Sequence, residues 1–223
     1  MDDESPEPWP LRHLQLRTPR LTLRPDDDEG LRALAVLAAQ GIHPPEQMPF
    51  LHPWTDQPVD ELVRGTLQHY WGARAAVTPT SWTVNFLVRH RGEVIGTQGM
   101  SGKDFAVTRE VSTGSWLGRR HQGQGFGTEM RAAVLLLAFD HLGAATARSG
   151  AFTDNPASLA VSRRLGYRED GSNAHAPRGK RAVETRLLLA AEQLVRPQWT
   201  LEVDGLDACC RSLLGIPDAG PAG

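Results

Sequence analysis

The chain has 223 residues, 40% hydrophobic and 22% charged, with 24 Lys and Arg against 26 Asp and Glu and a formal charge of −2. That length and balance suit one folded domain, exclude wholesale disorder, and lack the basic excess on which nucleic-acid binding rests. The two cysteines, Cys209 and Cys210, are adjacent, which serves neither a structural disulfide nor a metal site, and no run reaches the ~18 apolar residues of a membrane-spanning helix.

In chain order, the acidic, proline-rich opening MDDESPEPWP reads as a flexible tail over residues 1–12 and has none of the basic-then-apolar pattern of an export signal. A cytoplasmic location with no membrane partner is the expectation. Leu14, Leu16, Leu21 and Leu23 alternate around Pro19, predicting one strand with a kink or bulge. Asp26 to Asp28 supply a helix start, and Leu31, Leu34 and Leu37 form the stripe of a first helix. A proline-stiffened loop follows, GIHPPEQMPFLHPWTDQP, of a length that is commonly functional inside a compact domain. Val59, Leu62, Leu67 and Tyr70 then predict a second helix to about Gly72.

WTVNFLVRH and EVIGTQGM read as a hairpin turned at Arg91-Gly92, SGKDFAVTRE as a polar connection, and VSTGSWLG as a strand. That strand runs into RRHQGQGFG, after which Phe126, Met130, Val134, Leu137 and His141 share one helical face. ATARSGAF, NPASLAVSRRLG and AVETRLLLA predict a strand, a short helix and a late strand, WTLEVDGL an edge strand, and GIPDAGPAG a frayed end. The elements make one α/β domain over residues 13–200 with an extension at 201–223. Trp82, Trp116 and Phe152 are expected in its core.

The strongest local signal is the strand-to-helix turn containing Gly123, Gly125 and Gly127. Glycine permits positive φ and close approach of an anion to bare backbone, and free N–H groups at the helix start, with the helix dipole, make a diphosphate site. Arg119, Arg120 and Arg131 against Glu129 leave the stretch with a net of two positive charges. The spacing is neither the dinucleotide G-x-G-x-x-G nor a P-loop, which ends in Lys-Ser/Thr.

Gln122-Gly123-Gln124-Gly125-Phe126-Gly127 resembles the pyrophosphate motif of the GNAT superfamily of acyl-CoA dependent N-acyltransferases, Gln/Arg-x-x-Gly-x-Gly/Ala. Gly114 to Gly118 and Thr128-Glu129 are similar to its RimJ/RimL-like branch, which acetylates protein N-terminal alanines, and Asn155-Pro156-Ala157-Ser158 with Leu165-Gly166-Tyr167 supplies a second match. Over residues 14–190 the resemblance implies a mixed central sheet, helices on both faces, and a splayed pair of parallel strands ending near Leu117 and Phe152. The Leu117 N–H would donate to the thioester carbonyl, an arrangement worth up to ~3 kcal/mol in the transition state. The backbone of Gln122, Gly123, Gln124, Gly125, Phe126, Gly127 and Thr128 would hold the pyrophosphate, with Asn155 and Ser158 on the pantetheine arm.

The implied reaction is acyl transfer, acetyl first and succinyl as the alternative, from acyl-CoA to a primary amine, with no metal. Candidate bases are Glu110, Asp104 and, third, His43; the position where the family often carries an acid holds Ser112. Ser162 stands where many members place the tyrosine that protonates the departing thiolate. His43, Phe50 and Trp54, with Met48, would form the acceptor pocket, and a succinyl carboxylate would need a cation such as Lys103, Arg109 or Arg119. The acceptor is left open between a protein N-terminus, a small-molecule amine and a lysine side chain, and the assembly between monomer and homodimer. An acyl-CoA sensor without turnover is the competing reading.

Overall fold

The computed structural model describes residues 7–216. A nine-stranded sheet runs in the spatial order β7-β8-β6-β5-β4-β3-β2-β1-β9, antiparallel throughout except for the parallel pair β5 and β6. Its strands are β1 (Gln15–Arg17), β2 (Leu21–Pro25), β3 (Ser81–His90), β4 (Glu93–Lys103), β5 (Glu110–Leu117), β6 (Thr146–Phe152), β7 (Arg168–His175), β8 (Ala182–Ala190) and β9 (Glu202–Asp204). The helices are α1 (Asp28–Ala39), α2 (Val59–Ala75), the single turn α3 (Phe105–Thr108), α4 (Phe126–Leu136), α5 (Pro156–Arg164) and α6 (Ala208–Leu213).

Strand alternation divides the core. Phe86 and Val88 of β3, and Val111 and Leu117 of β5, point to the face covered by α4, where Leu135 and Leu137 are fully buried. Truncating either leucine to alanine should cost roughly 3 kcal/mol. Leu87 and Trp116 point to the other face, against Leu31 and Leu34 of α1 and Tyr70 of α2. Asp27 caps α1, its carboxylate accepting from the Gly30 N–H at 2.6 Å. The β3–β4 hairpin turns at Arg91 and Gly92, both with positive φ.

Several expectations are corrected. The leucines around Pro19 do not make one kinked strand: β1 and β2 are a hairpin, Leu16 opposite Leu23, closed by the Thr18 N–H donating to the Leu21 carbonyl. Proline has no N–H to give to a ladder, so Pro19 takes the corner. The connection after the hairpin is shorter than expected, because β4 continues to Lys103 and Phe105 buries itself in the one-turn α3. α2 extends past Gly72 to Ala75. β7 was not foreseen; REDGSNAH shows no apolar face because it lies at the sheet edge, mostly exposed, with a register shift between Glu169 and Ser172.

The expected tail at 1–12 lies partly outside the described residues. Within them Pro10 and Leu11 begin a 3-10 turn and are buried in the core. Most of the expected frayed end lies outside the described residues as well. The extension before it supplies the expected edge strand, β9 against β1, and also α6, whose Cys210 joins Leu214 and Ile216 in the core. Burial pushes the Cys210 thiol up to about 12, so it is an inert packing group, while Cys209 is exposed.

Candidate active site

β5 and β6 pair in register only at Glu110–Thr146, Val111–Ala147 and Ser112–Arg148, and then diverge. Side chains replace the missing rungs: the Ser149 hydroxyl donates to the Thr113 carbonyl at 3.1 Å and the Thr113 hydroxyl to the Arg148 carbonyl at 3.3 Å. On the other edge of β5, Gly118 N–H donates to the Ile95 carbonyl of β4 at 3.0 Å. Backbone groups alternate along a strand, so the N–H groups of Leu117 and Ser115 face the edge that β6 has left. The result is a cleft of about 1360 Å³ lined from both sides of the sheet.

At the mouth of the cleft the glycine turn leads into α4. Gly123 and Gly125 have φ of +74° and +82°, and Gly125 is the N-cap residue, a conformation that a side chain would strain. The first helical bond is Glu129 N–H to the Gly125 carbonyl, so the N–H groups of Phe126, Gly127 and Thr128 point out of the helix end with no intrahelical acceptor. The side chains of the turn brace it. Gln122 donates to the carbonyls of Ile42 (2.7 Å) and Leu117 (2.9 Å), tying the long loop to the end of β5, and Gln124 donates to the Arg120 carbonyl. Phe126 is buried under Arg20, whose guanidinium lies 4.6 Å from the ring centroid. Glu129 is also buried, accepting from Thr18, from Arg20 N–H and from the Arg20 guanidinium at 2.6 Å, so the β1–β2 corner holds the helix start.

Asn155 caps α5 by accepting from the Ser158 N–H at 3.1 Å, and both residues line the cleft opposite the glycine turn. His43, Phe50 and Trp54 line it too, in a run of ring contacts: His43 to Phe50 at 5.7 Å, Phe50 to Trp54 at 5.2 Å, Trp54 to Trp116 at 5.9 Å. Trp116 is therefore a half-buried wall of the cleft rather than a core residue, and the buried Phe152 lines it as well; Trp82 is in the core as expected. His43 is held at both ring nitrogens, by the Pro44 carbonyl and the Thr55 hydroxyl. Arg178, in the β7–β8 connection, pairs with Asp56 and donates to the Pro45 carbonyl, clasping this loop from across the cleft.

The other candidates fall differently. Glu110 sits where β5 and β6 still pair, engaged by Arg148 at 2.8 Å and by Thr146, and Asp104 is an exposed residue in the left-handed turn before α3; neither lines the cleft. Ser162 is fully buried and donates to the Ser158 carbonyl at 3.1 Å, so it reaches the cleft only through Arg131. Lys103 and Arg109 lie away from the cleft, whereas Arg119 lines it. Arg131 does not serve the turn: it is five residues into α4, roughly 7.5 Å along the axis, and is buried between the diverging strands.

Sequence reasoning missed Glu184. It lines the cleft on the face of Trp116 and is braced by His175 (3.0 Å) and Asn173 (3.2 Å). Its carboxylate lies over Gly150, where any Cβ would collide with it. Only the pairing of Glu184 with Phe152 brings it there, and no local spacing encodes that. Among the described residues there is no cluster of three or more His, Cys, Asp or Glu able to hold a metal, and no helix long and apolar enough to cross a membrane.

Known proteins share this fold. RimJ of Mycobacterium smegmatis, solved with CoA-disulfide, is 20% identical with a TM-score of 0.66, covering 84% of this chain and 91% of its own. RimL, a ribosomal L7/L12 alpha-N-protein acetyltransferase solved with coenzyme A, is 18% identical with a TM-score of 0.59, covering 78% and 95%. A mutant form of the spermidine/spermine N-acetyltransferase SpeG from Vibrio cholerae is 17% identical with a TM-score of 0.58, covering 78% and 96%. At these identities the likeness is one of fold. Residues 20–168 match the acetyltransferase (GNAT) domain, which includes the splayed pair, the glycine turn and α5, and the chain therefore belongs to the GNAT acetyltransferase family.

Proposed function

We propose that this protein transfers a short acyl group from acyl-CoA to the primary amine of a protein N-terminus or a small molecule, inside the cell. One observation carries the reading: β5 and β6 cease to pair beyond Ser112 and Arg148, opening the Leu117 edge beside a helix start whose N–H groups have no partner among the described residues. A diphosphate at Gly123 to Thr128 neutralises the helix end, and an extended pantetheine arm replaces the missing strand. The Leu117 N–H then faces the thioester oxygen, where it stabilises the oxyanion as the amine attacks.

Attack needs a neutral amine, and an α-amino group with a pKa of about 8 needs little help at neutral pH. Glu184, on the Trp116 face of the sheet and braced by His175, takes the amine proton as the N–C bond forms; the C–S bond then breaks, and the CoA thiolate leaves and takes a proton from water. Phe50, Trp54 and Trp116 offer the acceptor a rigid apolar wall at low entropic cost.

Mixing the protein with acetyl-CoA and a panel of amines and N-terminal peptides should release free CoA thiol only when an accepted amine is present. Tight CoA binding with no release for any amine would support the sensor reading instead.

A further inference from the structure

Arg131 is 4% exposed, and its guanidinium sits in the fork between the diverging strands. It donates to the hydroxyls of Ser115 on β5 (2.9 Å), Ser149 on β6 (3.1 Å) and Ser162 on α5 (3.4 Å), while its Nε–H has no acceptor among the described residues. Every partner is neutral. The chain treats its other buried charge differently, pairing Glu129 with Arg20, and even the half-buried Asp26 is paired, with Arg74 at 2.8 Å. Burial pushes the Arg131 pKa down, with no carboxylate to oppose it, yet an arginine stays protonated.

An unpaired buried cation is costly, and that cost falls when an anion arrives. Inside the cleft the anion has to come with the ligand. The CoA diphosphate does not meet the need, because its N–H cradle lies about a turn and a half of helix away. The acyl end of the thioester does, since Ser115, held by Arg131, belongs to the same free strand edge as the Leu117 N–H. The local hydrogen bonds agree: the Ser149 and Ser162 protons are committed to backbone carbonyls, while the Ser115 hydroxyl proton has no acceptor among the described residues and can donate to an oxyanion beside the cation.

We propose that Arg131, with Ser115, receives a carboxylate at the far end of the acyl chain, so that the preferred donor is the CoA thioester of a short dicarboxylic acid. This rests on the cleft being an acyl-CoA site. A guanidinium that merely strutted the strands apart, or that stabilised the departing thiolate, would serve charged and neutral acyl chains alike, and that difference makes the assignment testable.

The test measures calorimetric binding of succinyl-CoA, butyryl-CoA and acetyl-CoA to the full chain, succinyl and butyryl having the same chain length and differing in charge. The wild type should bind succinyl-CoA at least tenfold more tightly than butyryl-CoA. Arg131→Met should bring that ratio to near one, and Arg131→Lys should keep part of it. A wild-type ratio of one or below, or a ratio that survives in a folded Arg131→Met protein, overturns the proposal. Should Arg131→Met not fold by circular dichroism, the wild-type ratio and its fall in Ser115→Ala decide. If acetyl-CoA and butyryl-CoA bind as well as succinyl-CoA, only this inference fails; if no thioester binds, the acyltransferase reading fails with it.

Discussion

The two halves of the cleft are built by different means. On the side proposed for the CoA donor, Arg131 and Ser115 apart, the lining is main chain: the free edge of β5, the N–H groups of the glycine turn, and the capped start of α5. On the side proposed for the acceptor it is side chains gathered from distant segments, Phe50 and Trp54 from the long loop, Trp116 from β5 and Glu184 from β8, with Arg178 and Asp56 clasping the rim. A main-chain site suits a constant ligand such as CoA, because backbone geometry survives many substitutions. A side-chain site can change with the acceptor while the fold stays the same.

Mutations should separate the halves. The largest effect is expected for Gly125→Trp, which puts an indole into the anion cradle at a residue with φ of +82°; CoA affinity by calorimetry should fall more than about 100-fold, as a lost anion site of ~3 kcal/mol or more requires. Unchanged affinity in a folded protein would remove the turn from the site. Glu184→Gln should act only on the other half, lowering kcat by roughly 100-fold, in the range for a lost general base, with CoA binding unchanged. An equal loss of CoA affinity would place Glu184 on the donor side.

Smaller effects sharpen the boundary. Ser162→Ala removes a hydroxyl already committed to the Ser158 carbonyl, so turnover should drop less than about threefold, whereas a direct acid would show the ~100-fold typical of proton-transfer groups. Asp56→Ala releases the Arg178 clasp, a solvent-screened pair. The KM for the amine should rise by no more than about fivefold and that for acyl-CoA should not move; a change in the latter would show that the clasp shapes both halves.

The same division explains what could be read early. The α1 cap, the β3–β4 hairpin and the glycine turn were legible because each depends on residues within one turn of chain, where a capping carboxylate or a positive φ restricts which amino acid fits. β7 was not, since an edge strand with both faces wet shows no alternation. Neither was the β1–β2 corner, where Pro19 read as a kink. Glu110 was singled out on the strand leading to the glycine turn and Asp104 in the polar connection, but whether a carboxylate is available depends on partners such as Arg148 that lie far away in sequence.

By itself the sequence determined the α/β class, most elements, the family and the glycine turn at the start of α4, because those rest on short-range steric rules and on hydrogen bonds that main chain must make. Only the tertiary structure decided that Glu184 lines the cleft, that Ser162 sits behind Arg131, and that this arginine is buried without a carboxylate. Charge compensation and exposure are set by which strands come to lie side by side, and no stretch of neighbouring residues carries that information.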